Sequence, residues 1–125
     1  MLNVAILGAS DSPDRIAFQA QQMLAENHHR IFPVSPKGDT VGGLPAFRSL
    51  RDIPQPLDVV TLYIGAARLP DLVDDIVAAK PARVIFNPGT ESPQIAARLQ
   101  QAGIATEEAC TLVLLRTGQF ESPGL

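Results

Sequence analysis

The chain has 125 residues, 46% of them apolar and 18% charged, which describes one globular domain with a core of its own and excludes a disordered segment. A formal net charge of −3, 5% aromatic residues and no tryptophan exclude bulk binding to nucleic acid or to anionic membranes, and leave no stacking platform for single strands. The lone cysteine, Cys110, excludes an internal disulfide and a cysteine-rich metal site.

One free thiol fits a reducing compartment. The start, Met-Leu-Asn, has no basic region ahead of a long apolar stretch, so no secretory leader is expected. The longest apolar stretch, near Val59 to Ala67, is too short and too interrupted to cross a bilayer. The expectation is a soluble cytoplasmic protein with no membrane role.

In chain order, Val4 to Leu7 reads as a strand buried on both faces and bounded by Gly8. Ile16, Ala17, Ala20, Met23 and Leu24 recur at helical spacing, and Asn27 can end that helix. The helix starts either at a Ser12-Pro13 cap or after Arg15. His28 and His29 follow as surface residues at a favourable helix end. Ile31 to Val34 is a second strand, and Pro33 suits it to a place near an edge. Residues 35–45 form a loop, and 47–53 allow a turn or two of helix. Val59 to Ile64 is the third strand, ending at Gly65. Leu69, Leu72, Val73, Ile76 and Val77 mark the next helix, with Pro70 in its first turn.

Arg83 to Phe86 is the fourth strand and runs into Asn87-Pro88-Gly89. Ser92-Pro93 is an N-cap with proline at the first helical position, and Gly103 closes that helix. Ile104 to Thr106 is a weak fifth strand, Leu112 to Leu115 packs as a last turn against the sheet, and the chain frays from about residue 120. Strands alternating with helices predict an α/β fold over residues 1–125. It is a Rossmann-like, three-layer, open parallel sheet of five strands in the order 3-2-1-4-5.

In such sheets ligands bind beyond the carboxyl ends of the strands, at the switch point. Gly8 allows a tight turn with exposed amides, Ser10 adds a hydroxyl, and Arg15 is close enough to cover the same anion, so Gly8, Ala9, Ser10 and Arg15 are candidate phosphate binders. After the second strand, where NAD enzymes keep an acid for the ribose diol, stand Ser35, Pro36 and Lys37. A lysine there attracts a phosphorylated ribose. Two cofactors fit: coenzyme A, phosphorylated at the 3′ position, and NADP, phosphorylated at the 2′ position. Tyr63, Ile64 and Gly65 follow the third strand, and Tyr63 either lines the cleft or is an amphipathic residue at the edge of the core.

Asn87, Pro88 and Gly89 combine an amide side chain with a rigid turn. Glu91 serves as a base or complements the helix dipole, and Cys110 is a small buried hydrophobe or lies near a ligand thiol. No serine–histidine–acid or cysteine–histidine set is spaced for catalysis, and no metal site is expected.

Several motifs run in a recognisable order. They are Gly8-Ala9-Ser10 with Pro13 and Arg15; Val34 with Pro36-Lys37; Gly42-Gly43 with Ser49-Leu50 and Ile53-Pro54; Asp58-Val59-Val60; and Asn87 to Glu91. This order resembles the single-domain CoA-binding proteins, which are similar to the CoA-binding domain of succinyl-CoA synthetases. Glu108-Ala109-Cys110 resembles that family's C-terminal cysteine segment, and the likeness covers roughly residues 1–120.

The resemblance implies coenzyme A, or an acyl-CoA, held through its adenosine diphosphate part, and no reaction. Gly8, Ala9, Ser10 and Arg15 would meet the pyrophosphate, and Pro36 and Lys37 the ribose phosphate. Tyr63, Ile64 and Gly65 would flank the adenine or the chain, and Asn87, Pro88 and Gly89 would border the pantetheine. An NADP-dependent reductase, with Tyr63 as its proton donor, and a regulatory module that binds no nucleotide are the competing expectations.

Overall fold

The computed structural model describes residues 1–36 and 39–121; Lys37, Gly38 and residues 122–125 lie outside the described residues. Its elements are β1 (Asn3–Leu7), α1 (Ile16–Glu26), β2 (Arg30–Val34), β3 (Thr40–Val41), β4 (Leu44–Pro45), β5 (Val59–Leu62), α2 (Val73–Ala79), β6 (Arg83–Phe86), α3 (Pro93–Gln101), β7 (Ala105–Glu108) and α4 (Thr111–Arg116). Short 3-10 turns at Leu50–Asp52 and Ala66–Asp71 complete the set.

Five strands form one parallel sheet in the order β2-β1-β5-β6-β7. Outside β2, Phe47 pairs in parallel with Val34: the Ser35 amide donates to the Phe47 carbonyl at 2.8 Å, and the Phe47 amide to the Pro33 carbonyl at 2.9 Å. The expected open, five-stranded, all-parallel sheet is present, with the five expected runs as its five strands; the third of them, at Val59, stands between the first and the fourth. The run at Val59 lies inside the sheet beside β1, with Val4 opposite Val59. Pro33 lacks a ladder donor, which suits its strand to this lightly covered border.

The inner strands β1, β5 and β6 are buried on both faces because helices cover both. Val4, Ile6, Val59 and Ile85 point to a layer made by α1 and α4, where Ala17, Leu24, Leu114 and Leu115 are buried. Ala5, Leu7, Val60, Leu62, Val84 and Phe86 point to the layer of α2 and α3, with Ile76, Ile95 and Leu99. The chain steps from β1 to β2 in one direction and from β5 to β6 in the other. Right-handed crossovers then place α1 and α2 on opposite faces and open a crevice between the carboxyl ends of β1 and β5.

Local departures from expectation have local causes. Arg15 is the N-cap residue of α1, so the helix begins at Ile16 rather than at Ser12-Pro13. Pro70 lies inside the 3-10 turn, ahead of α2. The loop at 35–45 contains the two-residue strands β3 and β4, paired antiparallel. Phe120 is 2% exposed, packed between the His29 ring and the Arg83 guanidinium, each 5.1 Å from it. The Arg83 guanidinium also donates to the Phe120 carbonyl at 2.7 Å.

His29 is not the surface residue that its place after a helix implied. Its side chain is 1% exposed, and its Nδ1 accepts the Leu2 amide at 3.1 Å. A helix end is solvated only where nothing lies over it, and here the N-terminal residues and Phe120 do. Burial pushes the His29 pKa below its ordinary 6.5, against the opposing pull of Glu121. The unfolded chain therefore takes up a proton at His29 before the folded one does. Its contribution to stability is complete above about pH 6.5 and is lost as pH falls from there through the lower folded value. Urea midpoints measured from pH 7.5 to 5 should fall in the wild type, and His29→Gln, which keeps an acceptor for Leu2, should flatten that fall.

Candidate functional site

The carboxyl ends of β1, β2 and β5 open into a cleft of about 770 Å³, within the range of small-molecule sites. Among the expected residues, Gly8, Ala9, Ser10, Arg15, Ser35, Pro36, Tyr63 and Ile64 line it; Gly65, Asn87, Pro88 and Gly89 do not. Lys37 lies outside the described residues, directly after Pro36.

Gly8 sits where β1 leaves the sheet, with φ +92°. A Cβ there would stand 2.7 Å from Ile64 Cγ1 and 2.8 Å from the Tyr63 carbonyl oxygen, so no larger residue fits. The turn differs from expectation in what its amides do. Those of Gly8 and Ala9 both donate to the Val34 carbonyl, at 3.3 and 3.1 Å, and brace β1 to β2. The anion donors left on this wall are the Ser10 and Asp11 amides, the Ser10 hydroxyl and Arg15. Ser10 Oγ accepts the Ser12 amide at 3.1 Å, which leaves its proton available.

The opposite wall carries residues that motif reading missed: Arg48, beside the end of β2, and Arg68, in the 3-10 turn after β5. The guanidiniums of Arg15, Arg48 and Arg68 make no ion pair or hydrogen bond among the described residues. Both acids on the cleft are engaged. Asp75 takes Arg51 Nε and the Ser49 hydroxyl, the latter at 3.3 Å, and Asp11 accepts the Gly42 amide at 2.9 Å. In a chain of net charge −3, the cleft concentrates uncompensated positive charge. The sequence signal was each arginine's closeness to a strand end or bridge, visible only once Phe47 is known to pair with β2.

Tyr63 lines the cleft while its hydroxyl oxygen is buried and makes no hydrogen bond among the described residues. Burial pushes its pKa up to about 12, against the pull of the neighbouring Thr111 and Thr61 hydroxyls, so the phenol is neutral. Those two hydroxyls bond each other at 2.8 Å. Asn87 is spent on the fold: Nδ2 donates to Thr61 Oγ1 at 2.6 Å and to the Leu62 carbonyl at 2.8 Å, and Oδ1 accepts the Thr111 amide at 2.9 Å. It ties β5 and β6 to the start of α4.

Glu91 Oε1 accepts the Gly89 amide at 2.9 Å and closes the turn before α3. Cys110 is half-buried at the N-cap position of α4. Among the described residues no cluster of His, Cys, Asp and Glu is arranged to hold a metal ion, and no helix is long and apolar enough to cross a membrane. Among the described residues the cleft thus gathers the positive charge of Arg15, Arg48 and Arg68 at the carboxyl ends of the strands.

The family model for the CoA binding domain matches residues 3–116. An uncharacterized protein, YneT, of Bacillus subtilis is 28% identical over 106 residues, 85% of this chain and 68% of that protein. The ADP-forming acetate–CoA ligase of Methanocaldococcus jannaschii is 23% identical over 73 residues, 58% of this chain and 10% of the ligase. Among solved structures, that of another uncharacterized protein is 37% identical, with a TM-score of 0.91 over 96% of this chain and 98% of its own.

Proposed function

The chain belongs to the CoA binding domain family, and from that premise we propose that it binds coenzyme A or an acyl-CoA through the phosphates of the adenosine end, with no reaction of its own. The observation that carries this reading is the cleft's charge: three arginines without an ion pair among the described residues face it while the two acids that line it are occupied. Coenzyme A presents a pyrophosphate and a separate ribose phosphate, and charge-assisted bonds to such groups are the strong ones.

Ser10 and Arg15 hold the pyrophosphate, and Gly8 and Ala9 shape the turn that brings them to it. Ser35, Pro36 and Lys37 lie along the phosphorylated ribose. Tyr63, Ile64 and Gly65 flank the adenine side, and the pantetheine leaves past the turn at Asn87, Pro88 and Gly89. The ligase relative, whose name includes CoA, agrees with this choice of ligand. NADP shares the extra ribose phosphate, but a reductase needs a proton donor at its substrate. The buried Tyr63 hydroxyl argues against that reading.

Thermal shift against coenzyme A, acetyl-CoA, NADP and NAD tests the reading. A ligand at a hundred times its dissociation constant adds about 2.7 kcal/mol. Shifts with the two CoA species alone support the proposal. A larger shift with NADP replaces it with the dinucleotide reading, and no shift with any of the four points to a module without a nucleotide.

The sequence adds a sharper expectation. Lys37→Ala should weaken coenzyme A by about tenfold or more, and 3′-dephospho-CoA far less, if the lysine bonds the ribose phosphate. Equal losses in isothermal titration would place Lys37 elsewhere.

A further inference from the structure

Resting on the coenzyme A reading above, we infer that Arg48 is a second, independent determinant for the phosphorylated ribose, supplied by the chain segment that pairs with the outer edge of β2. Three observations converge on it. The Val34–Phe47 bridge, with its two backbone bonds to Ser35 and Pro33, holds residue 48 beside the end of β2. Phe47 turns inward, its ring 6.0 Å from that of Phe32, while the next residue, Arg48, lines the same cleft as Ser35 and Pro36. Finally, Arg48 has no anionic partner among the described residues.

That last point is specific to this position. The adjacent Ser49 bonds Asp75, which puts a carboxylate within reach of the segment, but Asp75 is taken by Arg51. The pairing of Arg51 with Asp75 cancels the one acid on this wall and leaves the Arg48 guanidinium unmatched at the place where the second strand ends. A dianionic phosphate offers several acceptor sites, and a planar, permanently charged fork is suited to bond two of them at once. Arg15 lies across the cleft on the first loop, so the two arginines divide between two phosphate groups.

Isothermal titration of coenzyme A and 3′-dephospho-CoA into the wild type, Arg48→Ala, Arg15→Ala and Arg116→Ala tests the division. Arg116 is an exposed arginine on α4, outside the cleft, and controls for net charge. The wild type should prefer coenzyme A. Arg48→Ala should lose about tenfold to a hundredfold for coenzyme A and about twofold or less for the dephospho form. Arg15→Ala should lose equally for both, and Arg116→Ala should change neither.

Equal losses for both ligands at Arg48, or no loss at all, overturn the assignment. So does a wild type that binds the two ligands alike, which leaves the coenzyme A reading standing. A wild type that binds neither overturns that reading and this subsite together. Arg48 is exposed and makes no ion pair or hydrogen bond among the described residues, and an unchanged melting temperature for Arg48→Ala ensures that a lost affinity reports on the ligand.

Discussion

Gly8→Ala should both destabilise the protein by about 2–6 kcal/mol and abolish measurable coenzyme binding. Two costs add. The backbone at φ +92° is strained for any side chain, at about 1–3 kcal/mol. The new methyl would also overlap the Tyr63 carbonyl and Ile64, and overpacking of this kind costs about 1–3 kcal/mol. Relief by movement is blocked, because the Tyr63 amide is bonded to the Leu7 carbonyl at 2.8 Å and continues the pairing of β5 with β1. The turn can yield only by releasing the Gly8 and Ala9 amides from Val34, which moves the wall that carries Ser10 and Arg15. Urea denaturation and titration with coenzyme A measure the two effects. Wild-type values in both would mean that the turn is not the rigid wall described.

Asn87→Ala should have an equally large effect on stability and a small one on binding. Removing the amide strands the buried Thr111 amide and takes a donor from Thr61 Oγ1, which keeps only its bond to the Thr111 hydroxyl, and from the Leu62 carbonyl. One unsatisfied buried group costs about 1–3 kcal/mol and each of the two other lost bonds about 0.5–1.5 kcal/mol, so the total is about 2–6 kcal/mol. Because the side chain does not line the cleft, affinity measured at low temperature, where the variant is still folded, should stay within about threefold of wild type. A variant that keeps its stability and loses its ligand would return Asn87 to the site.

Asn87 illustrates which parts of this molecule were legible in the sequence. An amide at a strand end signals a polar duty, and nothing in one dimension says whether its partner is a ligand or a distant piece of chain. Here the partner is Thr111, 24 residues on. His29 fails in the same way, since its burial depends on Leu2 and Phe120 closing over it. By contrast, the strands at Val4, Ile31, Val59 and Arg83 could be read directly, because a strand buried on both faces must be continuously apolar and glycine or proline must end it.

The first-loop residues could be named because they follow one such strand. Arg48 could not, because the pairing that places it is a single bridge at Phe47, too short to leave a strand pattern. The duty of the Gly8 and Ala9 amides was likewise hidden, since it depends on how closely β2 approaches.

The central place of β1 has a consequence for how the protein is made. Asn3 bonds Asp58 across 55 residues of chain, and Val4 faces Val59. Synthesis at about 5–20 residues per second means that one edge of β1 waits for several seconds before its partner leaves the ribosome. Until then an apolar ribbon, Val-Ala-Ile-Leu, can pair only with β2. The nascent chain therefore offers chaperones its most adhesive edge early, and the sheet closes around its first-made strand only when the middle of the chain arrives.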